Sequence, residues 1–491
     1  MALEDIRNER VRKRATLFEQ GVNPYPAQTR RTHTIGELLK KFSVLSAAGK
    51  KVAAAGRVMA KREHGGAAFF DVQDESGKIQ ILIKHDTFGD GQYEAMLAAV
   101  DIGDFVSAEG MLFETKRGEK TIETKQWAML GKSLLPLPEK WHGLQDVEER
   151  FRKRYLDLIM NEEVRERFVT RAKIISFIRQ FHEKHGFLEV ETPMLHPIPG
   201  GTLAKPFVTH QHALDIDLYL RIAPELYLKR LLVAGYEKVF EIGKSFRNEG
   251  IDTTHNPEFT EPESYAAYWD EEDMMTFVED LFIGLAKALG KKEMDADGRK
   301  IVFHKPFNRI AFKDLLARYA LIPDYEAETR DSLAARARQL GIDAPMHASK
   351  GKIADEIYKK ICRPYLVQPT FLTHHPIEIS PLSKKWEDHP NEVRRFQLVV
   401  AGWELTNAFA ELNDPIDQRE RFEEQERERA GGEDEAMRLD EDFLEAMEHG
   451  MPPAAGLGIG VDRVVMLFTN TKNIREVVLF PTMRPKPEDK D

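Results

Sequence analysis

The sequence predicts an α+β protein of two domains: a helix-led five-stranded barrel over residues 1–145, and a larger unit over residues 146–491 in which β-like runs alternate with helices. Three observations carry this. The chain has 491 residues, room for roughly two or three domains. Residues 51–128 are patterned as short β-like runs between turn signals, unlike the helical segments on either side. A proline-bearing stretch, Ser133-Leu134-Leu135-Pro136-Leu137-Pro138, then reads as a linker.

In chain order, residues 2–20 read as a charged helix. Asn23-Pro24-Tyr25-Pro26 ends it, because proline cannot continue a helix and restricts the residue before it. Its basic residues Arg7, Arg10, Arg12, Lys13 and Arg14 are read as a solvated face, with nucleic-acid contact the alternative. Strands are expected at 51–60, 67–72, 78–84, 105–113 and 121–127, with a helical piece at 91–100. Five strands with a helix between the third and fourth is the order of an OB barrel, a common oligonucleotide-binding fold. Phe69 and Phe70 stand near Arg57, Lys61 and Arg62, so base stacking and phosphate contact are both available. By alternation, at least one of the two phenylalanines faces the barrel core. Beyond the linker, helices are expected at 146–160 and 162–185, closed by Gly186, and a charge-rich helix at 415–430. The chain shows no repeat of fixed period and no low-complexity tract.

Composition narrows the function classes. Lys and Arg total 71 against 82 Asp and Glu, a formal charge of −11, with 31% charged and 42% hydrophobic residues. That is an ordinary globular composition. No run approaches the roughly 18–20 apolar residues of a membrane helix, and residues 1–14 are crowded with charge, so neither membrane insertion nor secretion is expected. One cysteine, Cys362, forms no intramolecular disulfide and no cysteine zinc site, which points to a reducing cytoplasm. The charge is uneven: residues 1–145 hold 22 Lys and Arg against 19 Asp and Glu, residues 146–491 hold 49 against 63. The acidic total therefore does not exclude a nucleic-acid partner for the first domain.

Three patterns fail as motifs. Gly243-Lys244-Ser245 resembles the end of a P-loop, but Lys238 stands where its first glycine is needed. Gly456-Leu457-Gly458-Ile459-Gly460-Val461 lacks the third small residue and the βαβ context of a dinucleotide fingerprint, so its glycines are read as allowing close backbone approach. His182 and His185 have metal-compatible helical spacing but no third ligand, and are read as a solvated pair. A fourth pattern survives. An apolar strand ending in Phe246 delivers Arg247 and Glu249, Gly250 turns the chain, and a second extended run presents His255 and Phe259. A cation, an acid, an imidazole and an aromatic on one hairpin suit a nucleoside triphosphate.

That hairpin, Phe246-Arg247-Asn248-Glu249-Gly250 with His255-Asn256-Pro257-Glu258-Phe259-Thr260, resembles motif 2 of the class II aminoacyl-tRNA synthetases, in its lysyl form. The helix over 169–185 leading to Phe187-Leu188-Glu189-Val190-Glu191-Thr192-Pro193 is similar to motif 1, and Gly456 to Arg463 is similar to motif 3. The resemblance spans about residues 5 to 486. It implies an antiparallel sheet flanked by helices, a homodimer built through motif 1, and ATP-dependent activation of L-lysine followed by transfer to lysine tRNA. It also implies roles for residues. Arg247 and Arg463 would be the catalytic cations, Arg247 on the α-phosphate and Arg463 over adenine; Glu249, His255, Asn256 and Phe259 would complete the nucleotide site. Glu225 and Glu263 would bind the α-amino group, Glu411 with Tyr265 the side-chain ammonium, Asn407 with Arg247 the carboxylate, and Phe409 the methylene stem. Arg57, Phe69 and Gln80 match anticodon-reading positions on the barrel.

Two positions depart from the family pattern. Glu261-Pro262 stands where an apolar pair is usual, so disturbed strand pairing and an added charge are expected beside Glu263. Of two acids that would hold magnesium against ATP, Glu404 is present and Gln397 replaces the other, so weaker magnesium binding is expected. The sequence thus implies a cytoplasmic, dimeric lysine-specific ligase that binds ATP, magnesium, L-lysine and tRNA, with no membrane or DNA partner. A catalytically impaired RNA-binding or regulatory relative, or a ligase that loads lysine onto a protein, are the alternatives.

Overall fold

The computed structural model describes residues 2–138, 144–296, 298–344, 348–432 and 435–486. It divides into two compact units, Met1–Gln145 and Asp146–Asp491.

The first unit is a closed barrel of strands β1 (Lys51–His64), β2 (Ala67–Asp74), β3 (Gly77–Lys84), β4 (Phe105–Glu114) and β5 (Lys120–Gly131), ordered β1-β2-β3-β5-β4. Alternation sends Ala68, Phe70 and Val72 of β2 and Ile79, Ile81 and Ile83 of β3 inward. β1 bends at a bulge between Val58 and Ala60, which lets one 14-residue strand pair with both β2 and β4 and so close the barrel. At Gly110 a Cβ would lie 1.9 Å from the Glu123 carbonyl oxygen, so the bulge between Glu109 and Gly110 requires glycine. The helix Leu3–Glu19 seats Leu17 against this core. Its Arg10 is not on a solvated face as the sequence suggested: buried, it donates to the carbonyls of Ile102, Ser133 and Leu135.

The second unit is built on an eight-stranded sheet. Its strands are β6 (Leu188–Glu189), β10 (Lys238–Phe246), β11 (Glu258–Ala267), β14 (Asn308–Ala311), β15 (Thr370–Pro376), β16 (Glu392–Val400), β17 (Trp403–Ala410) and β18 (Ala454–Ile459), in the order β14-β15-β16-β17-β18-β11-β10-β6. Only the outer pairs β14–β15 and β10–β6 are parallel. Small sheets of β7 (Leu195–His196), β8 (Val208–Gln211) and β9 (Ile216–Leu220), and of β12 (Glu293–Ala296) and β13 (Arg299–Val302), flank it. The helices Glu162–Lys184, Glu271–Ala288 and Val461–Thr469 share one large core with the sheet, reached by Phe240, Ala266, Phe396, Leu398, Leu457 and Ile459. The intervening residues, glycines 456 and 458 among them, face the opposite side and leave it open for a site. Between β14 and β15 a helical insertion has its own core around Phe312, Leu333, Ile357 and Tyr358, and holds Cys362 buried.

Two expectations are corrected here. His182 is not solvated: it is 0% exposed, its Nδ1 at 2.8 Å from the Ile178 carbonyl and its Nε2 at 3.2 Å from Ser264 Oγ, ringed by Phe187, Phe240 and Phe277. Burial depresses its pKa to about 4, so it is neutral. Pro262 does not disturb pairing: β10 and β11 run in register from Lys238↔Ala266 to Phe246↔Glu258, with Ile242 opposite Pro262. The Thr260 N–H points to the other flank, toward Asp462, and by the two-residue period so would one at 262. There the β18 ladder starts only at Glu263↔Gly458, so proline forfeits no ladder bond. Among the described residues, no helix is long and apolar enough to cross a membrane.

Candidate active site

The open face of the sheet carries a cavity of about 260 Å³. It collects Glu225, Arg247, Glu249, His255, Asn256, Phe259, Glu263, Tyr265, Glu404, Asn407, Phe409 and Arg463, drawn from segments up to 238 residues apart in sequence (225 to 463). Local structure explains the convergence. β10 and β11 present Arg247 and Phe259 at the mouth of their hairpin, closed by Arg247 N–H donating to the Pro257 carbonyl at 2.9 Å. β18 ends at Ile459, Gly460 caps the next helix, and Val461–Thr469 follows with Arg463 in its first turn.

At the mouth, the Arg247 guanidinium covers the Phe259 ring at 4.8 Å and stands 3.7 Å from Glu261. Arg463 donates to the Glu404 carbonyl at 3.2 Å and meets His255 Nε2 at 3.2 Å. His255 is in turn braced through Nδ1 by Asp252 at 2.9 Å. Burial opposes ionisation of Asp252, but bonds from Thr254 and His255 win and hold its carboxyl at about 2. Asp252 and its turn were missed in the sequence. The signal was there: an Asp two and three residues before Thr254 and His255 caps their N–H groups, at 2.6 and 2.8 Å, as an Asx turn.

Deeper, acids dominate. Tyr265 Oη donates to Glu263 Oε2 at 2.8 Å. Gly456 leaves the space that Glu411 and Tyr265 fill, since a Cβ there would lie 2.0 Å from Glu411 Oε1. Glu411 itself sits just behind the cavity lining, 1% exposed. Lys229, also missed in the sequence, bridges Glu225 Oε1 at 2.6 Å and Glu411 Oε2 at 2.5 Å. Burial raises the carboxyls of Glu225, Glu261 and Glu263, and takes Glu411 to about 8 despite Lys229. Asn407 Oδ1 accepts from Arg395 Nε at 2.7 Å, placing a third guanidinium, also unforeseen, on the cavity wall.

For magnesium, Glu404 lines both this cavity and an adjoining one that Gln397 also lines. Gln397 is buried, its amide oxygen 3.4 Å from Tyr358 Oη. No cluster of three metal-ligating side chains occurs among the described residues. One carboxylate beside a neutral amide oxygen fits an ion that takes most of its ligands from phosphate and water.

On the barrel, Phe69 and Gln80 share the outer face: Phe69 pairs with Leu82, two residues along β3 from Gln80, while Phe70 lies in the core. Such diagonal neighbours are about 7–8 Å apart. Arg62 pairs with Phe69 and donates to Asp71 at 3.0 Å. Arg57 is turned away, donating to the Gly103 carbonyl at 2.9 Å and covering Phe105 at 4.2 Å.

Residues 146–484 match the family model described as tRNA synthetases class II (D, K and N), and residues 52–130 match that of the OB-fold nucleic acid binding domain. The chain is 49% identical over 488 residues to the lysine–tRNA ligase of Moorella thermoacetica, covering 99% of each. It is 49% identical to that of Roseiflexus sp., covering 99% of this chain and 100% of the relative, and 46% identical to that of Citrobacter koseri, covering 99% and 98%. With its motif hairpin, glycine strand and barrel arranged as above, the chain belongs to the class II tRNA synthetase family that includes the lysine–tRNA ligases.

Proposed function

We propose that the protein is a lysine–tRNA ligase, which activates L-lysine with ATP and transfers it to the 3′ end of lysine tRNA. The observation that carries this is the division of charge at one cavity: Glu225 and Glu263 with Tyr265 and Phe409 at depth and Glu411 just behind them, Arg247, Arg463 and His255 at the mouth. Two ammonium groups suit the deep end, where a neutral amino acid would leave buried carboxylates unpaired. Triphosphate suits the mouth.

The lysine carboxylate attacks the α-phosphorus, the bond to the β-phosphate oxygen breaks, and pyrophosphate leaves. The terminal ribose hydroxyl then attacks the adenylate carbonyl, releasing AMP and a proton. Little acid–base work is needed, so the protein acts through position and charge. Arg247 serves the α-phosphate and, with Asn407, the lysine carboxylate. Adenine stacks on Phe259 beneath Arg463, which moves the Arg247 guanidinium off that ring toward phosphate. Glu249 and Asn256 hold the nucleotide; the buried Asn256 Oδ1, without a protein hydrogen bond, is free to accept one from it. Glu404, with Gln397 as a neutral partner, would hold magnesium, which when bound neutralises phosphate charge.

Phe69 and Gln80 offer a stacking platform and an amide for anticodon bases; Arg57 belongs to the same face by register, but its guanidinium is engaged by the Gly103 carbonyl and the Phe105 ring. Dimerisation through the edge strand β6 is supported by exposed apolar residues there and just beyond it, Leu188, Met194, Leu195 and Val208.

Lysine-dependent exchange of labelled pyrophosphate into ATP, followed by charging of purified lysine tRNA, tests the reading. Both should occur. Absence of exchange sinks the enzyme reading, and exchange without charging redirects it to a protein acceptor.

A further inference from the structure

Lys229 is a buried lysine directly behind the proposed lysine pocket. It is 0% exposed and lies on the second turn of the helix Glu225–Val233, four residues after Glu225. Its ammonium joins the carboxylate proposed for the substrate α-amino group, Glu225, to the one proposed for the side-chain ammonium, Glu411. It also stands 5.4 Å from the ring centre of Phe409, the residue proposed to pack on the substrate stem.

We propose that Lys229 is a positioning and specificity residue for lysine activation, a fixed internal cation that holds Glu225 and Glu411 apart, aligned and easier to ionise, so that each keeps one oxygen for an ammonium of the substrate. The inference rests on the reading of this cavity as a lysine site.

The physical need is plain. Glu225, Glu261 and Glu263 line one cavity with Tyr265, and Glu411 stands just behind it, opposed by the buried Lys229 and by Arg247 and Arg395 on the cavity wall. Buried like charges cannot all ionise unaided. Burial favours a neutral Lys229, yet Glu225 and Glu411 overcome it and hold the ammonium charged above its ordinary range. The same pairing pulls both carboxyls down against the burial that raises them. Each acid uses one oxygen on Lys229, Oε1 of Glu225 and Oε2 of Glu411. Neither Glu411 oxygen makes a hydrogen bond: Oε2 is held by Lys229 as an ion pair, and Oε1 faces Gly456, which lines the cavity. A side chain that only filled space would need no charge here and no second acid.

The test compares Lys229→Met, the polar but uncharged Lys229→Gln, and Lys229→Arg in lysine-dependent pyrophosphate exchange. Without the cation both acids ionise later, so the acid limb of kcat/KM for lysine should move at least one pH unit alkaline, with KM for lysine up about tenfold or more at pH 7. The ATP KM should change less than about twofold, and Lys229→Arg should keep the wild-type limb. If Lys229→Met fails to fold, Lys229→Gln carries the same expectation. An unmoved acid limb and lysine KM in a folded neutral variant overturn the proposal. Absence of exchange in the wild type overturns the functional reading instead, so the two failures are told apart.

Discussion

Arg171 Nη1 donates to Asp462 Oδ1 at 2.5 Å, while Arg171 Nη2 donates to Thr260 Oγ1 at 3.0 Å and Asp462 Oδ2 accepts the Thr260 N–H at 3.2 Å. One triangle ties the helix Glu162–Lys184 to β11 and to the helix that carries Arg463. Arg171→Met strands the buried Asp462 without its cation, at a cost of about 3 kcal/mol. Urea unfolding should show that loss, and pyrophosphate exchange should fall further than stability alone explains, because Phe259 and Arg463 lose their common anchor. Equal stability in the variant would refute the anchoring role.

Lysine binding should tighten as pH rises. Burial raises the Glu411 carboxyl to about 8 and lifts Glu263 well above its ordinary range, so part of the pocket is protonated at neutral pH. An arriving ammonium favours the ionised forms and expels protons, so KM for lysine should fall between pH 6.5 and 8.5. The same shifts act on folding with the opposite sense. A carboxyl raised in the folded state adds stability below its unfolded pKa and loses it as pH climbs through the folded value. The ligand-free protein should therefore melt lower at pH 8.5 than at pH 6, and added lysine should narrow the gap. Glu411→Gln should flatten the KM profile near pH 8; a profile unchanged in that variant would assign the limb elsewhere.

Magnesium dependence follows from Gln397. A carboxylate in its place adds a charged ligand on the cavity it shares with Glu404. Gln397→Glu should lower the magnesium concentration for half-maximal exchange about threefold or more, with lysine KM unaffected. An unchanged magnesium requirement would show that this position does not reach the ion.

The barrel makes a paired prediction. Phe69 lies on the outer face and Phe70 in the core, so neighbouring identical residues should fail differently. Phe69→Ala should raise the tRNA KM and leave exchange intact. Phe70→Ala should cost about 3–5 kcal/mol of barrel stability. Equal loss of both reaction steps in Phe69→Ala would remove it from tRNA contact.

Much of this was legible in order and period. The five barrel strands, the hairpin ending at Arg247 and the glycine strand before Arg463 are local patterns, and each appears where the sequence put it. What escaped was decided by burial, which a single sequence does not display. Arg10 and His182 look like surface residues until carbonyls 92 residues away and an aromatic ring on β10 close over them. Lys229 and Arg395 look like ordinary helix and strand charges, because their partners Glu411 and Asn407 lie 182 and 12 residues on. Pro262 misled for a related reason: whether a missing N–H matters depends on which neighbour it faces.

Glu261 carries the last prediction. Its carboxylate stands 3.7 Å from Arg247, the cation proposed for the α-phosphate. In the ligand-free state it is a competing anion, and phosphate must take the guanidinium from it. Burial raises its carboxyl, opposed chiefly by Arg247 and also by Arg221 and Arg463, so its charge grows as pH rises. The ATP KM of the wild type should therefore increase with pH. Glu261→Leu should lower it about threefold, near 0.6 kcal/mol for a partly exposed pair, and remove the pH dependence. The hairpin should survive, since Glu261 lies opposite Gly243 in a ladder made by backbone. A higher ATP KM in a folded Glu261→Leu protein would show that the carboxylate assists nucleotide binding, in which case it acts on the substrate side of Arg247 and not as its resting counter-ion.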